Sequence, residues 1–359
     1  MCSNSRVICY GKVAVVIPIF NVDKYLQQCL DSVVGQTYPY FTLFAVNDGS
    51  EDDSLSILER YAIQDSRIII INKQNGGVSS ARNAALNEIQ HYGDYKFVYF
   101  LDADDYIDKT LLWEFVYYLT ETNSDYGVCA YKKITSTSIE SRDKKTHFLG
   151  DYILMNSQDI AEQFFRISDS YDFGDQDDET TSLFLNNRFF RLDNIINMRF
   201  NERLSACEDQ DFLIRSMKFL GSGVKINHVL FYYRRRLSSL SNMVDVKKDD
   251  LQVYESYFKF NGSFPLYIRK GIQAYYLQHR IQKFYSDFNA ASGFSEMYKL
   301  YHCILMELRG NRFEFNLTKY VKKHKAIFDK GFIVTLFYVK ARNISKKLVF
   351  ITRKIRFYR

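Results

Sequence analysis

The chain has 359 residues, long for one simple domain and short for three, so one large α/β domain with an appendage is expected. Apolar residues make up 47% and charged residues 25%, with only 3 prolines; this excludes a disordered chain, a multi-span membrane protein and Pro-rich linkers. The net charge of +6 resides in the tail: Lys330 to Arg359 carries nine Lys/Arg and no acid, which leaves the first 329 residues at −3.

The 28 Tyr and 30 Phe come without the spaced aromatic motif of a nucleic-acid binder, so no nucleic-acid partner is expected. No two of Cys2, Cys9, Cys29, Cys129, Cys207 and Cys303 have CxxC spacing, which argues against a zinc or thioredoxin-like site. The first apolar run, Val13–Phe20, contains Pro18 and lacks a small-residue cleavage site. The late run Phe332–Val339 is too short to span a bilayer. A reducing, cytoplasmic location is expected.

Along the chain, Val13–Ile17 predicts a buried parallel strand. Asn21 is expected to cap a helix that carries Val22, Leu26, Cys29 and Val33 on one face. Phe41–Val46 predicts a second strand, closed by the turn Asn47-Asp48-Gly49-Ser50; a helix over Leu55–Ala62 and a strand at Arg67–Ile71 follow. Asn75-Gly76-Gly77 predicts a turn before a helix bearing Val78, Ala81, Ala85 and Ile89. Phe97–Leu101 predicts a fourth strand ending in Asp102-Ala103-Asp104-Asp105, then a helix near 108–122 and a strand at Tyr126–Tyr131. Residues 134–147 read as loop, and 168–179, with six acids in twelve positions, as a solvated loop or an acceptor-side lid. A helix after Glu208 carries Phe212, Leu213, Met217 and Leu220, a strand covers Gly223–Tyr233, and everything beyond about 249 reads helical.

The β-α-β alternation predicts a doubly wound, mostly parallel sheet. In such sheets ligands bind at the carboxyl ends of the strands. The polar residues Asn21, Asp48, Asn75, Asp102 and Asp104 fall at those ends. The expected organisation is residues 1–245 as the catalytic and ligand-binding domain and 246–359 as a helical C-terminal region.

Asp102 and Asp104, at i and i+2 after a buried strand, suit either a divalent cation bridging phosphate oxygens or an acidic helix start. Asp48 suits either a hydrogen bond from a base N–H or an Asx turn. Gly76 allows close approach of the backbone to a ligand. Arg82 is either a diphosphate contact or a solvent-facing helix arginine. Glu208-Asp209 offers a general base or a helix-dipole charge. Arg234–Arg236 offers neutralisation of a leaving phosphate or a solvated basic patch.

The stretches VVIPIFN (15–21), LDSVVGQTYPYF (30–41), VNDGSEDDS (46–54), NGGVSSARNAAL (75–86), YFLDADDYI (99–107), RFNERLSACEDQDF (199–212) and FYYRRRLSSLS (231–241) together resemble an inverting family 2 glycosyltransferase of the GT-A fold, of the bacterial surface-polysaccharide type. The resemblance implies a metal-dependent transfer of sugar from a nucleotide-diphosphate donor, UDP-linked by expectation, with Mn²⁺ or Mg²⁺ as cofactor and a glycan or lipid-linked glycan as acceptor. It implies that Pro18 and Phe20, with Asn21, line the nucleotide pocket and that Asp48 meets the uracil edge. Gly76 and Arg82 would lie along the nucleotide sugar. Asp102, with Ala103, would contact the ribose side, and Asp104 the metal. Asp209 would be the catalytic base with Glu208 beside it, and Arg236 a candidate diphosphate contact. The sequence offers no clear third metal ligand; His228, alone on its strand, reads as structural. Where the family often has an aromatic, this chain has Gln210.

Two other functions compete. One is an inactive nucleotide-sugar-binding or scaffolding relative, against which the intact acidic pairs argue. The other is a dinucleotide oxidoreductase, which expects GxGxxG after the first strand, where this chain has Ile17-Pro18-Ile19-Phe20-Asn21. In the tail, Ile333, Phe337, Ile344, Leu348, Ile351 and Ile355 form a helical stripe with basic residues around it. That pattern suits peripheral attachment to the anionic inner face of the membrane, or packing of the stripe on the catalytic domain.

Overall fold

The computed structural model describes residues 10–135, 151–165, 185–205, 207–235 and 264–290, together with 295, 297–302, 326–327, 329–330 and 335. Strand β1 (Lys12–Ile19) is followed by α1 (Asp23–Val34), β2 (Phe41–Asn47), α2 (Ser54–Gln64), β3 (Ile68–Asn72), α3 (Val78–Tyr92) and β4 (Tyr95–Phe100). The chain continues through β5 (Tyr106–Ile107), α4 (Leu111–Glu121), β6 (Tyr126–Thr135), β7 (Tyr152–Asn156), α5 (Ser157–Phe165), β8 (Arg188–Arg191), α6 (Glu208–Ser216) and β9 (Ser222–Arg235). Helix α7 (Leu266–Ala290) follows.

Among the described residues one sheet runs in the order β3-β2-β1-β4-β8-β6-β9-β5, with β7 on β9. β1, β2, β3 and β4 pair in parallel, as do β6 and β9; β8 enters antiparallel to both β4 and β6. The expected doubly wound, mostly parallel sheet is therefore present. β2 is buried along its whole length, as a parallel strand covered on both faces must be. Helix α1 seats Leu26, Cys29, Leu30 and Val33 in the core, where Leu43, Phe97, Tyr99, Leu112 and Phe115 also lie. The chain leaves β1 for β2 and β3 on one side and returns to β4 on the other. The point where strand order reverses thus lies at the carboxyl ends of β1 and β4, the place where such sheets bind ligands.

Several expectations need correction. Asn21 does not cap α1: Val22 occupies that position, and the first N–H groups are taken by other side chains, Val22 donating to Ser54 Oγ at 3.0 Å and Asp23 to Asp52 Oδ2 at 3.0 Å. Asn21 instead takes a left-handed conformation (φ 48°), and its Oδ1 accepts from the Glu51 N–H at 2.8 Å. It thereby ties the end of β1 to the loop after β2. The helix expected from 108 begins at Leu111, because residues 106–107 pair antiparallel with β9. Ile134 and Thr135, expected in loop, extend β6. Helix α6 stops at Ser216, short of Leu220.

The described residues fall into two units, residues 1–164 with 175–249, and residues 165–174 with 250–359. In the second, α7 buries Ile268, Ile272, Leu277, Ile281, Phe284 and Phe288 at helical spacing. The acidic stretch 168–179, Arg236, and most of the tail lie outside the described residues. No described helix is long and apolar enough to cross a membrane.

Candidate active site

The first wall is the loop between β3 and α3, held by one carboxylate. Asp48 is 2% exposed. It accepts from the Gly76 N–H at 3.0 Å and the Gly77 N–H at 2.8 Å, and from the Lys73 ammonium. Gly77 has φ +85°, a left-handed conformation that favours glycine. The loop therefore enters α3 with its backbone drawn against the end of β2. Beside it, Pro18 is half-buried and Phe20 is 48% exposed, so the end of β1 presents an apolar face to solvent.

The second wall is the acidic turn after β4. Atoms of Asp102, Asp104 and Asp105 lie within 4.8 Å of one another. Asp105 is buried, and its carboxyl is raised well above the ordinary range, by burial first and then by Asp104 and Asp102. The turn is fastened from β9: the Arg234 N–H donates to Asp105 Oδ1 at 2.7 Å, and Arg234 Nε donates to the Asp104 carbonyl at 2.9 Å. From the residue chain before β8, Asn186 Nδ2 donates to Asp102 Oδ2 at 2.8 Å and, at 3.4 Å, to Asp105 Oδ2.

Arg82 joins the third wall to the second. It is 1% exposed, reaches in from α3, and donates to three carboxylates at once: Asp102 at 2.8 Å, Asp209 at 2.6 Å and Glu208 at 3.1 Å. A buried guanidinium is tolerable only when so paired, which excludes the solvent-facing reading. Glu208 and Asp209 sit at the start of α6, where acids suit the helix dipole. Loss of solvation pushes the Asp209 carboxyl from 3.8 up to about 7; Arg82 opposes the rise, and Glu208 and Asp102 add to it.

Three carboxylates thus meet one buried guanidinium, and Asp104 and Asp105 lie beside one of them, Asp102. The surplus negative charge, and the hard oxygen donors of Asp102, Asp104 and Asp105, fit Mg²⁺ or Mn²⁺. Asp105 is a third carboxylate near Asp102 and Asp104. His228 is not part of the cluster; its Nδ1 lies 2.6 Å from Glu114 Oε2 in the core.

Residues 14–190 match the Glycosyl transferase family 2 profile. This segment belongs to glycosyl transferase family 2. The chain is 34% identical over 160 residues to "Glycosyltransferase GlyA" of Streptococcus pneumoniae serotype 4, covering 45% of this chain and 19% of that one. It is 32% identical over 141 residues to a poly(ribitol-phosphate) beta-glucosyltransferase of Bacillus spizizenii, covering 38% of this chain and 22% of the relative. The chain thus spans only about a fifth of the length of either. Among solved structures it is similar to S. aureus TarS 1-349 in complex with UDP-GlcNAc, with TM-score 0.58, 19% identity, and coverage of 82% of this chain and 81% of that one. That likeness shows the GT-A fold.

The structure brings Arg82 and Asp102 of the matched segment into direct contact with Glu208 and Asp209 beyond it, with Asp104 two residues along the same turn as Asp102. Ala103 is buried within that turn. Asp48 and Gly76 meet each other in the loop before α3, while Pro18, Phe20 and Asn21 stand at the end of β1. Arg236 lies outside the described residues. Sequence reasoning passed over Lys73, Asp105, Asn186 and the fastening role of Arg234. Asp105 was visible as the third acid of a run, but no residue pattern marks Asn186, whose partners lie more than 80 positions away.

Proposed function

We propose that this protein is an inverting, metal-dependent glycosyltransferase that moves a sugar from a nucleotide diphosphate, UDP first among candidates, to a hydroxyl of a glycan or lipid-linked glycan in bacterial surface-polysaccharide synthesis. The observation that carries the reading is the Arg82 junction: one buried guanidinium sets a strand-end carboxylate cluster beside a carboxyl pushed up to about 7. A proton acceptor poised near neutrality suits general-base catalysis.

On this reading Phe20 and Pro18 offer the nucleoside an apolar face, and Asp48 shapes the loop that bounds it. With both oxygens of Asp48 engaged by Gly76, Gly77 and Lys73, any contact with the uracil edge adds to existing bonds. Asp102, Asp104 and Asp105 would hold Mn²⁺ or Mg²⁺. The bound cation supplies neutralisation of the charge that develops on the leaving diphosphate. Asp209 takes the proton of the acceptor hydroxyl as its oxygen bonds the anomeric carbon. The bond from that carbon to the diphosphate breaks on the opposite side, and its electron pair leaves with the phosphate, so the anomeric configuration inverts. Arg82 keeps Asp209 and Asp102 in one frame, and on donor binding its guanidinium lies close enough to the cluster to share charge with the diphosphate.

The name of the Bacillus spizizenii relative supports a polymer acceptor, and the UDP-GlcNAc bound to TarS supports a UDP-linked donor. The experiment is a panel of UDP-, GDP- and TDP-sugars incubated with the protein in Mn²⁺ or EDTA, read as released nucleotide. Release from one donor class in Mn²⁺ only is the expected result. Release from none, with NAD raising the melting temperature instead of UDP plus Mn²⁺, contradicts the proposal.

A further inference from the structure

Asn186 sits where no motif announces it. It lies two residues before β8, and its side chain is 2% exposed. Its backbone is fixed on both sides. The buried Tyr99 hydroxyl of β4 donates to the Asn186 carbonyl, and the neighbouring Asn187 exchanges hydrogen bonds with Cys129 of β6, its Nδ2 donating to the Cys129 carbonyl at 2.9 Å. The side-chain amide then faces two carboxylates, Asp102 at 2.8 Å and Asp105 at 3.4 Å.

The orientation of that amide is forced. Turned over, its oxygen would meet Asp102 Oδ2 with no hydrogen between two acceptors. In the orientation adopted, Asn186 Oδ1 is buried without a hydrogen-bond partner. Native proteins rarely keep such a group without cause. Here the cause is the other end of the amide: one NH₂ group donates to Asp102 and Asp105 together.

We propose that Asn186 is a positioning residue for the cation site. It holds Asp102 and Asp105 at a fixed separation before the cation arrives, and it keeps its bonds to them afterwards. The proposal rests on the metal-dependent reading of the cluster given above. Partners that orient metal-binding carboxylates typically change metal affinity 10- to 100-fold when removed.

The test compares Mn²⁺ binding to the full chain, in the presence of UDP, for wild type, Asn186→Leu and Asn186→Ser. Leucine matches the asparagine in shape and has no N–H; serine keeps one hydroxyl donor. Asn186→Leu should weaken Mn²⁺ binding about 10- to 100-fold, with Asn186→Ser in between. UDP binding in EDTA and the melting temperature in EDTA should stay near wild type. Equal Mn²⁺ affinity in wild type and Asn186→Leu, or tighter binding in the variant, overturns the proposal. So does a parallel loss of melting temperature and UDP binding in EDTA, which marks a merely structural role. If Asn186→Leu does not fold, unchanged Mn²⁺ affinity in Asn186→Ser overturns it. Wild type that binds no Mn²⁺ at all sinks the metal reading itself, and this outcome is distinct from the others.

Discussion

Asp209 shares the Arg82 guanidinium with Glu208 and Asp102, so its replacement separates chemistry from binding. Asp209→Asn should leave nucleotide binding intact and reduce transfer about 10²- to 10⁴-fold. A loss under tenfold would move the role of base to Glu208; Asp211 is occupied by Arg215, whose Nε lies 2.9 Å away. The raised carboxyl also predicts a pH effect on stability. The folded protein keeps this proton up to about pH 7, whereas the group's ordinary value is 3.8. Between those values the folded state binds more protons than the unfolded state, so raising the pH lowers stability. Asp209→Asn lacks this titration. In EDTA its stability relative to wild type should improve as pH rises from about 4 to about 7 and level off beyond, as followed by urea denaturation. Parallel curves for the two proteins would contradict the assignment. Sequence pattern reached Asp102, Asp104, Glu208 and Asp209 because acids recur next to apolar runs. It could not decide what Arg82 does, since a helix arginine reads the same whether it faces water or three buried carboxylates.

At the scale of elements, the loop before α3 depends on one side chain from a different strand. Asp48→Asn replaces an acceptor-only carboxylate with an amide that matches the Gly76 and Gly77 N–H groups poorly and ends the ion pair with Lys73. Hydrogen bonds to a charged group are worth roughly 1.5–3 kcal/mol each, so a loss of about that size is expected in chemical denaturation, with UDP binding weakened as well. Unchanged stability would show that the loop holds itself. Apart from β5, the elements from β1 to α4 were legible within a few residues, because parallel strands give unbroken apolar runs and their crossover helices give clear stripes. β8 was not: Arg188 is wholly buried, its Nη1 donating to the Tyr126 hydroxyl, so the RFFR segment looks polar at a position that is core. β5 has two residues and exists only through its pairing with β9, which no local pattern can carry.

The chain carries a family 2 segment and, further on, a basic C-terminal region, most of whose last thirty residues lie outside the described structure. The alternation of apolar and basic residues there suits a surface helix on anionic lipid, and each basic residue near such a surface adds about 1 kcal/mol at best. The full chain should cosediment with phosphatidylglycerol vesicles at low salt, and a chain truncated after Lys330 should not. Equal behaviour of the two would remove the membrane from the account. The claim on which the rest depends is that the acidic turn after β4 is a cation site serving a nucleotide diphosphate. Its most direct test is calorimetric titration of UDP into wild type and Asp104→Asn, each in Mn²⁺ and in EDTA. The account predicts Mn²⁺-dependent binding in wild type that is lost in Asp104→Asn while both proteins melt at similar temperatures. Equal UDP affinity of the two proteins in Mn²⁺ would contradict it.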